Sequence, residues 1–383
     1  MNQIYFDNGS TSWPKAPGVT EAMTDLLSHG AFNINRGNYE GAYEIEGVVL
    51  DTREQLARLF HAENSKGVVF TPGVTYSLNF LIKGLLKPGD HVIVSGLEHN
   101  AVMRPMEQMR SEGISYDIAQ TDRDGNLDLD DLRAHIGKRT RAVIVTHASN
   151  VCGTVLPIQQ IGEICREKDL IFGVDTAQTA GTLDIDMKQC GIDFLAFTGH
   201  KGLLGPQGIG GFLISEQLDR QMTPLIAGGT GSQSDSLLMP ENLPDKYESG
   251  TMNLPGIVGL HAALSYLEEQ SLAEIHERKM KLTGYFFERL STIPGIRIVG
   301  RKDLKNRVAV VSLDFQNMDN ALAAFELEQE AGIMTRVGLH CAPVAHQSLG
   351  TFPQGTVRFA FSTFNTEEEI DICIDVLNKL KNI

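Results

Sequence analysis

The sequence predicts an α/β protein: a large, mostly parallel sheet covered by helices, then a smaller α+β C-terminal unit. Two observations carry this. From about residue 67 to 214, short and continuously apolar runs alternate with amphipathic stretches, and unbroken runs of Val, Ile and Phe suit strands buried on both faces. After about Pro255 the texture changes to long helical patterns, which marks a second unit.

In chain order, the strand-like runs are residues 67–71, 91–95, 142–146, 170–174, 194–198 and 211–214. Helical stretches lie between them at 75–84, 102–112, 128–136 and 158–168, giving a β-α-β series. Ala227 to Ser232 and the polar stretch to Tyr247 form a long loop excursion. A mixed region begins around Asp314. In the last helix Thr366 and Glu369 make a capping box, and Ile370, Cys373, Ile374, Leu377 and Leu380 make an apolar stripe. The expected division is an N-terminal segment 1–20 packing on the small domain, a large domain 21–255 and a small domain 256–383.

With 383 residues, 42% of them hydrophobic, the chain has ample material for a core. Its net charge of −15 argues against non-specific binding to nucleic acid or an anionic membrane. No run approaches the roughly 18 apolar residues of a membrane span. Residues 1–7 have no signal-peptide character, so the expected location is cytoplasmic. Five cysteines without a C-x-x-C read as reduced thiols.

Ligands of an open parallel sheet bind beyond the carboxyl ends of its strands. Several polar clusters follow strand ends here. Thr71-Pro72-Gly73-Val74-Thr75 leads into a helix, whose free N–H groups suit a phosphate. Glu98-His99-Asn100, His147-Ala148-Ser149-Asn150, Asp175-Thr176-Ala177-Gln178 and Thr198-Gly199-His200-Lys201 follow four other strands. Each has an ordinary reading alone: Asp175 as a helix cap, Lys201 as a solvated lysine, His99 as a loop histidine. All of them would have to be ordinary at the same sheet edge.

Thr198-Gly199-His200-Lys201 with Asp175-x-x-Gln178 resembles the pyridoxal-phosphate site of class V aminotransferase-fold enzymes. Arg336-Val337-Gly338-Leu339-His340-Cys341-Ala342-Pro343 resembles the R-x-G-x-H-C-A segment of cysteine desulfurases of the SufS-like and selenocysteine-lyase-like group. The resemblance runs from about Tyr5 to the final helix and implies the type I fold of pyridoxal-phosphate-dependent transferases, with a seven-stranded sheet. It implies Lys201 as the lysine that bonds the cofactor and moves the substrate's α-proton. Asp175 would face the pyridine nitrogen, and His99 would stack on the ring. Gln178 and Asn150 would address the ring's phenolic oxygen and the substrate. Thr75, Thr198 and His200 would hold the phosphate, and Thr251 would reach the phosphate of a partner subunit in a homodimer. Asn35, Arg336 and Arg358 fall on the substrate side, with Arg358 gripping the carboxylate.

Cys165 and Cys373 lie on apolar helical stripes and read as core residues, and Cys152 and Cys190 read as packing. Cys341 sits in a polar Gly/His/Pro segment beside His340 and near Arg336, where cationic or donor groups favour a thiolate. His340, Cys341 and His346 lack a fourth ligand for a metal reading, and none is expected. The implied activity is an L-cysteine desulfurase that leaves L-alanine and a Cys341 persulfide for an acceptor protein. The alternatives are a selenocysteine lyase acting on L-selenocysteine, a class V epimerase or aminotransferase that dispenses with Cys341, and a sulfur-relay scaffold. Asn35-Arg36-Gly37 stands where the group carries His-Arg-Gly, and Ala342-Pro343-Val344-Ala345-His346 departs from its A-x-P continuation.

Overall fold

The structure is a computed structural model that describes residues 3–34 and 37–380. A two-residue strand, β1 (Ile4–Tyr5), and the helices Val19–His29 and Glu40–Leu59 come first. Seven strands then form the large sheet: β2 (Val68–Thr71), β3 (His91–Ser95), β4 (Ser115–Ala119), β5 (Thr140–Thr146), β6 (Ile171–Asp175), β7 (Phe194–Thr198) and β8 (Gly210–Ile214). Their spatial order is β2-β8-β7-β6-β5-β3-β4. β4, β3, β5, β6 and β7 pair in parallel, whereas β8 is antiparallel to both neighbours.

Successive residues of one strand feed opposite cores, as the two-residue period of a strand requires. Ile93, Val143, Phe172, Val174 and Leu195 join one core, with the helices Glu40–Leu59, Ile158–Glu167 and Leu254–Glu269. Val92, Val94, Ala142, Ile144 and Ala196 join the other, with Val74–Leu85 and Asn100–Met109. The continuous apolar runs follow from this double burial. β4 has no such run because it is the sheet's edge, with Asp117 and Ile118 exposed.

The C-terminal part adds β9 (Ile296–Val299), β10 (Val310–Phe315), β11 (Ile333–Met334), β12 (Arg336–Gly338) and β13 (Thr356–Ala360). β12-β13-β10-β9 is an antiparallel sheet, and β1 pairs in parallel with β11. In the final helix, Glu367–Leu380, Glu369 N–H donates to Thr366 Oγ1 at 3.3 Å and Thr366 N–H to Glu369 Oε2 at 3.1 Å. Its five stripe residues are all buried.

Leu254, Ile257, Leu260 and Ile275 pack in the large-sheet core, whereas Leu282 and Phe286 pack in the small one. We therefore propose that the units divide inside the helix Leu272–Leu290, not at 255/256. Ile4 and Phe6 pack in the small core, and Ala16 and Val19 in the large one, so the N-terminal segment ties the two together. Among the described residues no helix is long and apolar enough to cross a membrane.

At the carboxyl end of the sheet, β8 passes so close to the loop after β2 that only glycine fits at its start. A Cβ on Gly210 would lie 2.7 Å from Gly73 Cα and 2.7 Å from the Phe197 carbonyl oxygen. Gly210→Ala is expected to destabilise the chain by about 1–3 kcal/mol, as overpacking does. The check is the denaturation midpoint, and an unchanged value would contradict this close approach.

Candidate active site

The loop from β2 into Val74–Leu85 turns at Gly73, with φ 153°. Tyr76 and Ser77 N–H donate to the Gly73 carbonyl, which leaves Val74 and Thr75 N–H without a protein acceptor among the described residues. These donors open a 12-residue helix, so they offer an anion both hydrogen bonds and the positive end of the helix dipole. Thr198 Oγ1 lies on the other side of the Gly73 turn, 3.5 Å from where a Cβ would be. His200 Nδ1 is buried without a partner, and burial lowers this ring to about 4.

Next in the chain, Lys201 Nζ has no hydrogen-bond partner among the described residues. Burial pulls its amine down to about 8, against the opposing pull of the Asp175 charge. Asp175, at the end of β6, is 2% exposed and accepts from Ala177 N–H at 2.8 Å. Burial raises its carboxyl, and the Ala177 bond and Lys201 oppose the rise. His99 Nδ1 accepts from Ala101 N–H at 3.0 Å and caps the helix Asn100–Met109. Burial and the Lys201 charge hold it near 4, so the ring is neutral and its proton sits on Nε2. Glu98 is fully buried behind them. Its Oε1 takes Ser95 Oγ–H and Thr146 N–H, while Oε2 has no partner. Burial pushes its carboxyl up to about 8.

The N-terminal segment closes one side. Asp7 Oδ1 receives Arg358 Nη2 at 3.0 Å and Asp7 Oδ2 receives Arg336 Nη1 at 3.2 Å. Ser10 Oγ accepts from both guanidinium groups, at 2.6 and 2.7 Å. Arg358 is 3% exposed; its Nη1 donates to the Asn150 carbonyl at 3.1 Å and its Nε is bare. Gln178 Nε2 donates to the Gly9 carbonyl at 3.0 Å. Lys15 Nζ donates to Thr11 Oγ1, Ser12 Oγ and the His200 carbonyl, which fastens the segment beside Lys201.

Cys341 lies on the turn between β12 and the helix Pro343–Leu349, and it is exposed, whereas the other four cysteines are buried. The sequence marks His340 and Arg336 as cationic or donor neighbours that favour a thiolate. Instead burial lowers the His340 ring to about 2, and its Nε2 pairs with Thr356 Oγ1 at 2.9 Å, so it stands neutral. Arg336 is committed to Asp7 and Ser10.

The structure therefore gathers His99, Asn150, Asp175, Gln178, Thr198, His200, Lys201, Arg336, Cys341 and Arg358 at the carboxyl edge of the large sheet and the strands facing it. Thr75 is exposed at the helix start. Thr251 is exposed on the rim, lining with Pro72 and Tyr76 a cavity of about 250 Å³. Asn35 lies outside the described residues. Sequence reasoning missed Asp7, Ser10 and Lys15, whose only signal was an acidic and hydroxyl-rich start. It quoted Glu98 without giving it a role.

A family model described as Aminotransferase class-V matches residues 4–373. A relative from Methanothermobacter thermautotrophicus, described as a probable cysteine desulfurase, is 32% identical over 99% of this chain and 95% of its own. The apo structure of a cysteine desulfurase from Thermococcus onnurineus superposes with a TM-score of 0.93 at 32% identity, covering 99% of this chain and 95% of that one. An S-sulfonic acid form of an Escherichia coli cysteine desulfurase superposes at 0.89 with 28% identity, covering 98% and 94%.

Glu98 gives the site a pH signature. A carboxyl that titrates near 8 when folded and in the ordinary glutamate range when unfolded binds its proton more tightly in the native state. Stability from this group is full below the unfolded pKa and is lost as pH rises through about 8. Glu98→Gln has no proton to lose, so its stability relative to the native chain should climb across that window and then level. One pKa unit is worth about 1.4 kcal/mol, which sets a scale of a few kcal/mol. Urea midpoints measured from pH 5 to 9 on both chains would show it, and parallel curves would refute it.

Proposed function

The chain belongs to the class V aminotransferase family, and on that footing we propose that it is a pyridoxal 5'-phosphate-dependent L-cysteine desulfurase of the cytoplasm. One observation carries the reading: the exposed cysteine, Cys341, stands on a turn held by Asn150 and Asn100, from the segments after β5 and β3, at the sheet edge that also bears the desolvated amine of Lys201 and the buried carboxyl of Asp175. The donor set suits the cofactor. Val74 and Thr75 N–H, Thr198 and His200 would hold its phosphate, Asp175 its ring nitrogen and the neutral His99 ring its face. Gln178 and Asn150 would hold its phenolic oxygen. When bound, pyridoxal phosphate supplies an electron sink for the pair left at the substrate's α-carbon.

Lys201 is suited to two jobs. With its pKa near 8, a usable share of its amine is uncharged around neutrality, so it can bond an aldehyde and take a proton from an α-carbon. Arg358 sits at the inner end of the substrate space with a bare Nε, suited to a carboxylate. Arg336 and Asn35 would complete that side. Asp7 orients both arginines and tempers their charge, so a substrate carboxylate exchanges into a formed cluster. The Cys341 sulfur would form the new S–S bond with the substrate sulfur as the substrate's C–S bond breaks, leaving L-alanine and a persulfide. Its exposure lets an acceptor protein reach that persulfide.

We also propose a homodimer. Thr251 shares a groove with Leu237 and Leu238, which are almost wholly exposed in the single chain. Apolar surface of that kind beside a candidate phosphate ligand suits coverage by a second copy.

Purified protein supplied with the cofactor should turn yellow and, with a thiol reductant present to release the persulfide sulfur, make L-alanine and sulfide from L-cysteine in equal amounts. Cys341→Ser should keep the colour and lose sulfur transfer; alanine formation at the native rate would overturn the nucleophile's assignment. Lys201→Ala should lower turnover by at least about 10²-fold, the scale of a positioned acid–base group. Because only the uncharged amine bonds the aldehyde, cofactor capture by the native chain should quicken with pH through about 8 and then level.

A further inference from the structure

The turn that carries Cys341 is held in an unfavourable shape by groups from the other unit. His340 has φ 48° and Cys341 φ 55°, two consecutive side-chain-bearing residues in the left-handed region. L-residues visit that region singly and at a cost, and they stay there only where the surroundings over-determine them. Inside the turn, Ala342 N–H closes on the Leu339 carbonyl at 2.8 Å. Besides the contact of the His340 side chain with Thr356 Oγ1, the other restraints, on the turn's backbone carbonyls, come from the large unit. Asn150 Nδ2, in the loop after β5, donates to the His340 carbonyl at 2.8 Å in a buried contact. Asn100 N–H, the first residue of the helix capped by His99, donates to the Cys341 carbonyl at 2.7 Å. Both carbonyls of the left-handed pair are therefore taken by residues of the large sheet's carboxyl edge.

Asn150 is itself fixed by Arg358 Nη1 on its carbonyl, and its Oδ1 is buried without a partner. Its Nδ2 thus spends one proton on the turn, while Oδ1 and the second N–H remain for whatever occupies the site. We propose that Asn150 is the positioning residue of Cys341: its side-chain amide holds the His340–Cys341 turn in its left-handed form and sets where the thiol stands relative to Lys201 and Asp175. The role goes beyond a contact to cofactor or substrate, and its functional meaning rests on Cys341 as the nucleophile.

The test reads the turn itself in the cofactor-free chain, so it stands or falls separately from the desulfurase reading, which Cys341→Ser tests. Amide hydrogen exchange is followed at Ala342 and Asn100, the two N–H groups whose acceptors depend on the turn, with Ile144 in β5 as the reference for the fold. Asn150→Ala should speed exchange at Ala342 and Asn100 by at least about tenfold and leave Ile144 unchanged. Asn150→Asp keeps the size but turns a carboxylate oxygen toward the His340 carbonyl, so at neutral pH it should loosen the turn as much or more. Once the new carboxyl is protonated its O–H can donate where Nδ2 did. Protection at both amides, corrected for the intrinsic rate, should then return in Asn150→Asp but not in Asn150→Ala. That acid rescue separates a donor to the turn from mere bulk at the position. Native protection at Ala342 and Asn100 in both variants would overturn the proposal. So would a loss shared equally with Ile144, or an Asn150→Asp profile without recovery.

Discussion

Burial of ionisable side chains at one edge of a parallel sheet is the constraint from which the rest of this molecule follows. Lys201, Asp175, Glu98, His99 and Arg358 are all shifted from their ordinary titration ranges, and in each the first cause is loss of water. An isolated buried charge is expensive, so such groups either pair or turn neutral. The protein does both. Arg358 pairs with Asp7 at 3.0 Å, whereas His99 and His340 remain neutral rings. What results is an amine and a carboxyl that act on each other through charge without an ion pair among the described residues, while the thiol stands exposed on its own turn.

That arrangement needs the second unit as much as the sheet. The sheet edge supplies Lys201 and Asp175, but Arg358 comes from β13, Arg336 from β12 and Cys341 from the turn after β12. The N-terminal segment fastens the two. β1 pairs with β11, and Asp7 reaches both arginines. Ser12 N–H and Lys15 Nζ then hold the His200 carbonyl beside Lys201. The stretch that sequence reasoning assigned to packing alone therefore borders the site directly.

The contrast shows what kind of information a sequence exposes. β3, β5, β6 and β7 were legible because double burial demands unbroken apolar runs, and the last helix because Thr366 and Glu369 satisfy each other locally. Lys201, Asp175, His99 and Asn150 were legible because the fold class dictates which residues follow strand ends. β4 escaped, since an edge strand with exposed Asp117 and Ile118 has no such run. Asp7 and Ser10 escaped for a different reason: their partners lie more than 320 residues away, and no local pattern encodes such contacts. The neutral state of His340 was also out of reach, because it depends on burial, which spacing does not reveal.

The same logic extends to Thr251. Three residues before it, Glu248 makes a bidentate pair with Arg53, at 2.9 and 2.6 Å, with both side chains less than a tenth exposed. A buried ion pair is poor evidence of net stabilisation, because desolvation offsets much of the attraction. Its geometric consequence is firmer. Glu248 Oε1 also accepts Phe70 N–H at 2.7 Å, and Arg53 lies over the Phe70 ring at 4.6 Å. The segment leading to Thr251 is thereby registered against β2, the strand whose end begins the Gly73 turn and its free N–H groups. Exposed Thr251, which in the proposed homodimer would reach the partner subunit's phosphate, is thus placed by buried contacts three residues earlier, and its own exposed loop need not supply the order.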